Sequence, residues 1–175
     1  MEQYVVTKEQ LLGARTYLPL EEKTAFLERA DRCFDRMSVT LGDEAMPPMF
    51  KENCALKTRY LAAALAVYLR IPYDSEEDDA MLMSEADCDK LGESHVVMQI
   101  ERFKRDKDEV VRNAAYDLLS DYFRLEKAFD AEIKALLAVQ NDTVIRQSQM
   151  NQAAMAELPA LLEQFKSLQE TKGEG

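Results

Sequence analysis

The sequence predicts an all-α fold: a single-domain helical bundle of five to seven helices with long antiparallel C-terminal helices. Three observations carry that expectation. Apolar residues recur at steps of three and four along most of the chain, the spacing that gathers them on one face of a helix. No run of alternating Val, Ile and Thr is bounded by turn residues, and no Asn-Gly or Asp-Gly pair marks a hairpin. Hydrophobic residues make up 47% of 175 residues, enough to bury a core without disulfides or metals.

Each element has a local reason. Thr7-Lys8-Glu9-Gln10 is a capping box, so a short helix follows Thr7 and stops by Leu18. Pro19 suits the first position of a second helix, where a missing N–H costs nothing, and that helix is expected to run to about Met37. Ser38 to Met46 reads as a connector, and Pro47-Pro48 as an extended entry to a third helix from about Met49 to Ile71. Residues Tyr60 to Leu69 are apolar nearly all round, which predicts a central helix surrounded by others. Pro72 ends it. Asp74 to Asp79 reads as a solvated acidic loop, Ala80 to Met83 as a short apolar dock, and Ser84 as the N-cap of one or two helices over about 84–106, with Gly92 as a break.

From Lys107 the helical pattern continues. Val111, Ala115, Leu118, Tyr122, Leu125, Phe129, Ile133 and Leu136 form a seam close to a heptad repeat. The Gln/Asn-rich stretch from Gln140 contains the expected turn, Asn141-Asp142-Thr143, where the chain reverses into an antiparallel hairpin; one long helix is the alternative. Leu158, Leu161, Leu162, Phe165 and Leu168 restore an apolar stripe beyond it. The expected organisation is therefore a helical core over 1–106 with an acidic connector at 74–83, long helices over 107–172 packing on it or on a second subunit, and a tail at 173–175.

Charge narrows the function classes. The chain carries 22 bases and 33 acids, and residues 74–109 alone carry a net of -8. The densest basic group, Arg102, Lys104, Arg105 and Lys107, is interleaved with acids. Phosphate backbones need clustered Lys/Arg, so no nucleic-acid partner is expected. The longest apolar run is ten residues, against about 20 for a membrane span, and no signal peptide is read at the start. Three widely spaced cysteines argue for a reducing compartment, so the expected location is the cytoplasm.

No catalytic, cofactor or metal site is expected. Only one histidine, His95, is available as a base for a nucleophile. Cys88 lies seven residues from it, two turns along a single helix, which is about 10 Å. Cys33, Cys54 and Cys88 lack the close pairing of a zinc site. Asp74, Glu76, Asp78 and Glu85 imitate part of a calcium loop, but Asp79 stands where glycine is needed. The strongest signal is helix packing. The expected function is a non-enzymatic protein-protein interaction or assembly protein, self-associating as a homodimer or binding another protein. Its interface is expected at Tyr122, Leu125, Phe129, Ile133 and Leu136. The alternative is an acidic decoy that occupies a basic groove of a partner through residues 74–109, chiefly Asp74, Glu76, Glu77, Asp78 and Asp79. An enzyme of unfamiliar type is a further alternative.

Overall fold

The computed structural model describes residues 3–41 and 44–172. Helices hold 68% of the chain, but two small antiparallel sheets make the fold mixed α/β, which overturns the all-α expectation. In order, the elements are α1 (Lys8–Gly13), α2 (Leu20–Leu27), a 3-10 turn (Ala30–Arg32), β1 (Phe34–Leu41), β2 (Glu44–Glu52), α3 (Cys54–Leu69), β3 (Ser75–Glu76), β4 (Asp79–Met83), α4 (Glu85–Glu93), α5 (Val96–Phe103) and α6 (Glu109–Lys172). By contacts the chain divides into one unit of residues 1–35 and 52–136 and a second of residues 36–51 and 137–175.

The first unit is organised around α3. Asn53 caps it by accepting the Leu56 N–H at 3.1 Å, and Arg70 closes it in the left-handed region at φ 55°. Ala63, Ala64, Ala66 and Tyr68 are fully buried, and the helix touches α1, β4 and α4. The expectation of a surrounded central helix holds. Its start does not: residues 49–52 belong to β2, and the helix begins at Cys54. Thr7 accepts the Gln10 N–H and starts α1 as the capping box predicts. α2 starts at Leu20 behind Pro19 but ends at Leu27 rather than Met37.

Chain segments far apart in sequence close this unit. The Tyr4 N–H donates to Ser94 Oγ and the Val6 N–H to Gln99 Oε1, both at 2.8 Å. Gln99 Nε2 returns bonds to the Tyr4 and Ser94 carbonyls. These bonds satisfy backbone groups of the extended segment that precedes α1. The expected acidic loop is a hairpin: β3 pairs antiparallel with β4, Ser75 opposite Met83 and Glu76 opposite Asp79, with a bulge between Ser75 and Glu76. Two helices follow as predicted, yet the break lies at His95, held at φ 49°, and Gly92 sits inside α4.

The second unit combines β1 and β2, neighbours in one sheet, with the C-terminal part of α6. The sequence Asn141-Asp142-Thr143 does not turn; α6 runs through it without interruption. Each of the three residues is held in helical geometry by its own contact. Asn141 Oδ1 accepts the Phe50 N–H at 2.7 Å. Asp142 pairs with Arg146 one turn on at 2.8 Å, a spacing that supports helix. Thr143 donates to the Val139 carbonyl at 2.9 Å. The expected pair of antiparallel C-terminal helices is thus one helix. Pro159 lies within it, removing one backbone hydrogen bond without ending it.

Candidate functional site

Four groups of side chains were singled out by chemistry, and the structure treats them differently. The seam residues Tyr122, Leu125, Phe129 and Ile133 are buried within this chain, and Leu136 is half-buried. Tyr122 meets Tyr68 edge-on at 6.1 Å between ring centroids, and Phe129 lies 6.1 Å from Tyr60. The apolar payload of this stretch is therefore spent on the first unit's own core.

The acidic group separates. Asp74, Glu76, Glu77 and Asp78 are exposed, whereas Asp79 is 4% exposed. Asp79 Oδ2 accepts from Arg29, from Arg32 and from the Tyr60 hydroxyl, at 3.1, 3.2 and 2.8 Å. Its Oδ1 accepts the Met81 N–H. The solvated-loop reading does not hold at this residue. Glu76 is ion-paired with Arg59, which also donates to the Met83 carbonyl at 2.7 Å.

A second buried carboxylate had no sequence signal among 33 acids. Asp121 on α6 accepts the Leu18 N–H at 3.0 Å and the Tyr68 hydroxyl at 2.8 Å through Oδ2, and pairs with Lys23 at 2.6 Å through Oδ1. Burial alone pushes both carboxyls up. For Asp79, the Tyr60 hydroxyl, the Met81 N–H and the two arginines outweigh it. For Asp121, Lys23, the Leu18 N–H and Tyr68 do so. Both end below the ordinary aspartate value. A carboxyl depressed in the folded state contributes stability above its unfolded pKa of about 3.9 and loses it as pH falls through the folded value. Urea midpoints should therefore be flat at neutral pH and drop steeply below about pH 4. The Asp121→Asn variant should start lower and drop less.

The first unit also carries an open groove of ≈ 490 Å³, with Leu61, Leu65 and Val96 among its lining and Lys57, Cys88 and His95 also in it. Cys88 and His95 both line this groove. Among the described residues no hydrogen bond joins them. Burial, then the Asp89 charge, pushes the Cys88 thiol up; a nucleophile needs the opposite shift, toward thiolate. Lys57 is committed to Asp130 at 2.6 Å and Glu52 at 3.1 Å. Among the described residues no group of three His, Cys, Asp or Glu side chains is placed to hold a metal ion, and no helix is long and apolar enough to cross a membrane.

The fourth group is the distal part of α6. Every residue from 149 to 164 is exposed, Met150, Met155 and Leu162 by 72%, 69% and 54%. Beside it, within the second unit, lies a groove of ≈ 640 Å³ lined by Arg36 and Pro48 of the hairpin and by Val144, Gln147, Asn151 and Met155 of the helix. The sequence stripe over Leu158, Leu161 and Leu162 is thus an apolar surface that the described residues leave uncovered. Comparison with protein-family models, with curated proteins and with solved structures finds no match for this chain.

Proposed function

We propose that this chain is a non-enzymatic assembly protein that self-associates through the C-terminal part of α6. One observation carries the reading: four consecutive turns of helix, residues 149–164, are exposed on all sides while bearing Met150, Met155, Leu158, Leu161 and Leu162. Helices in proteins draw most of their stability from packing one apolar face, and a contiguous exposed apolar stripe marks an interaction site.

Charge favours a second copy as the occupant. Residues 137–172 hold three bases and four acids, a net of -1, while the rest of the chain carries -10. The excess of acids is concentrated over residues 74–109, at a net of -8, so two copies can meet along the distal helix without strong charge repulsion. The acidic decoy has less support, because Asp79 is buried and Glu76 is ion-paired. The free thiols of Cys33, Cys54 and Cys88 support a reducing compartment, and we place the protein in the cytoplasm.

Light-scattering mass on a size-exclusion column tests the reading over a wide range of concentration. The expected mass is about twice the 20.0 kDa of one chain. Leu158→Asn with Leu161→Asn should return it to one chain mass and leave the melting of the first unit unchanged, since neither side chain is buried. A wild-type mass of one chain at every concentration sinks the proposal.

A further inference from the structure

The groove of the first unit is lined by polar groups that the fold itself leaves unused. Its floor is apolar: Leu61, Leu65, Leu91 and Val96 line it and are buried. Tyr122 lines the same groove and is 7% exposed. Its ring is held edge-on by Tyr68, yet among the described residues its hydroxyl has no hydrogen-bond partner. A buried tyrosine hydroxyl ordinarily finds one. The hydroxyls of Tyr60 and Tyr68 do, each donating to an aspartate at 2.8 Å. One turn on from Tyr122, Glu126 also lines the groove, half-buried, and among the described residues it pairs with no cation. Residues four apart are neighbours on a helix face, and after burial it is the Glu126 charge that pushes the Tyr122 phenol up. Two other polar groups of the groove are already committed: Thr58 donates to the Cys54 carbonyl, and Lys57 pairs with Asp130 and Glu52.

We infer that this groove binds a small organic ammonium ion with an apolar body, the ammonium bonded to the Glu126 carboxylate and the Tyr122 hydroxyl, the body lying on Leu61, Leu65, Leu91 and Val96. Charge selects the head group. One ammonium, Lys57, stands against three carboxylates, Glu52, Asp130 and Glu126, and Glu126 is the one left without a counter-ion. A carboxylate accepts hydrogen bonds, an ammonium donates them, and a tyrosine hydroxyl can accept as well as donate. Bonds between ionised partners are the strong ones, whereas an anion would lose its water beside an unpaired carboxylate. Size selects the class of ligand. The ≈ 490 Å³ of the groove lies within the roughly 300–1,000 Å³ of small-molecule sites, which are apolar with a few convergent polar groups. A stable protein interface takes about 800 Å² from each partner, more than this groove supplies. Every lining residue belongs to the first unit, so the site is independent of self-association through the distal helix.

Calorimetric titration of the full-length chain at neutral pH tests this with probes of one shape and different charge: phenylbutylamine, phenylbutanol and phenylbutanoate. The amine should bind, the alcohol should bind about tenfold more weakly, and the carboxylate should not bind. Glu126→Gln should cost the amine about tenfold and leave the alcohol unchanged. Tyr122→Phe should weaken both by about threefold. Glu126→Gln keeps the side chain's shape at a half-exposed position and should melt with the wild type, so its loss reads binding and not folding. Amide spectra with the amine should shift at Leu61, Leu65, Leu91 and Val96. An amine that fails to bind at millimolar concentration, binds no better than the alcohol, or binds Glu126→Gln as tightly as the wild type overturns the inference. So does a groove that ignores the amine and takes an amphipathic Leu/Lys peptide, which would make it a protein-docking surface.

Discussion

Replacing Asp121 with Ala should cost the first unit about 3–5 kcal/mol, read as a fall in the urea midpoint at unchanged slope. The carboxylate has three partners on three separate segments: the Leu18 N–H, the Lys23 ammonium and the Tyr68 hydroxyl. Asp121 and Lys23 side chains are only 9% and 17% exposed. Truncation leaves a poorly solvated cation and an orphan N–H, and the penalty for such groups exceeds the modest net worth of the bonds themselves. A domain of this size is stable by about 5–15 kcal/mol, so the variant sits near the edge of folding. Two companions apportion the loss. Tyr68→Phe removes one hydroxyl and should cost about 1 kcal/mol. Lys23→Met combined with Asp121→Asn removes both charges and should recover much of the deficit. If Asp121→Ala costs less than about 1 kcal/mol, the carboxylate is not the tie described here.

Phe129→Ala should be comparably severe, at about 3–5 kcal/mol. The ring is fully buried and lies beside Tyr60, whose hydroxyl donates to Asp79. Its removal opens a cavity next to a buried ion cluster, where water entry would weaken Arg29 and Arg32 against Asp79 as well. The loss should be independent of protein concentration. A residue lying between subunits behaves otherwise, because dimer stability follows mass action. A Phe129→Ala deficit that grows on dilution would put this stretch of α6 in an intermolecular interface after all. Leu125→Ala, at 2% exposure, should follow the same pattern at about 2–5 kcal/mol.

Helix starts were legible because they are local. Thr7 and Ser84 act as caps from side chains within three residues of the bonds they accept. The hairpin of β1 and β2 was less visible, although a signal exists. Met37-Ser38-Val39-Thr40-Leu41 alternates apolar and polar, and the pair Gly42-Asp43 that follows in the sequence is of a type that signals a hairpin. A search restricted to Asn-Gly and Asp-Gly passes over it, and the helical spacing of Phe34 and Met37 competes with it. Pro47-Pro48 pointed correctly to extended backbone, but the extension is a strand and not a helix entry. The seam from Val111 to Ile133 was plain; its partner was not, since periodicity specifies a buried face and says nothing about what buries it. Asp79 and Asp121 were illegible for a different reason. What distinguishes them from the other acids is the set of donors brought from residues about 20 to 100 positions away. The reading of Asn141-Asp142-Thr143 as a turn followed residue preference, which tertiary contact at Phe50 and local pairing at Arg146 override.

The ties from Tyr4 to Ser94, Val6 to Gln99 and Leu18 to Asp121 span 90 to 103 residues. They bear on how the protein comes into being on the ribosome. A chain this rich in helix is expected to fold quickly through near-neighbour contacts, but here Tyr4 and Val6 find these partners only once the chain has left the exit tunnel as far as Gln99, and Leu18 only once α6 has left it as far as Asp121. Until then Leu11, Leu18, Phe26 and the apolar circumference of α3 have little to cover them. Non-local closure slows folding, and surface exposed in the interval is prone to aggregate. The nascent chain should therefore be a better chaperone client than its helix content suggests, with protection from protease arriving late and in one step.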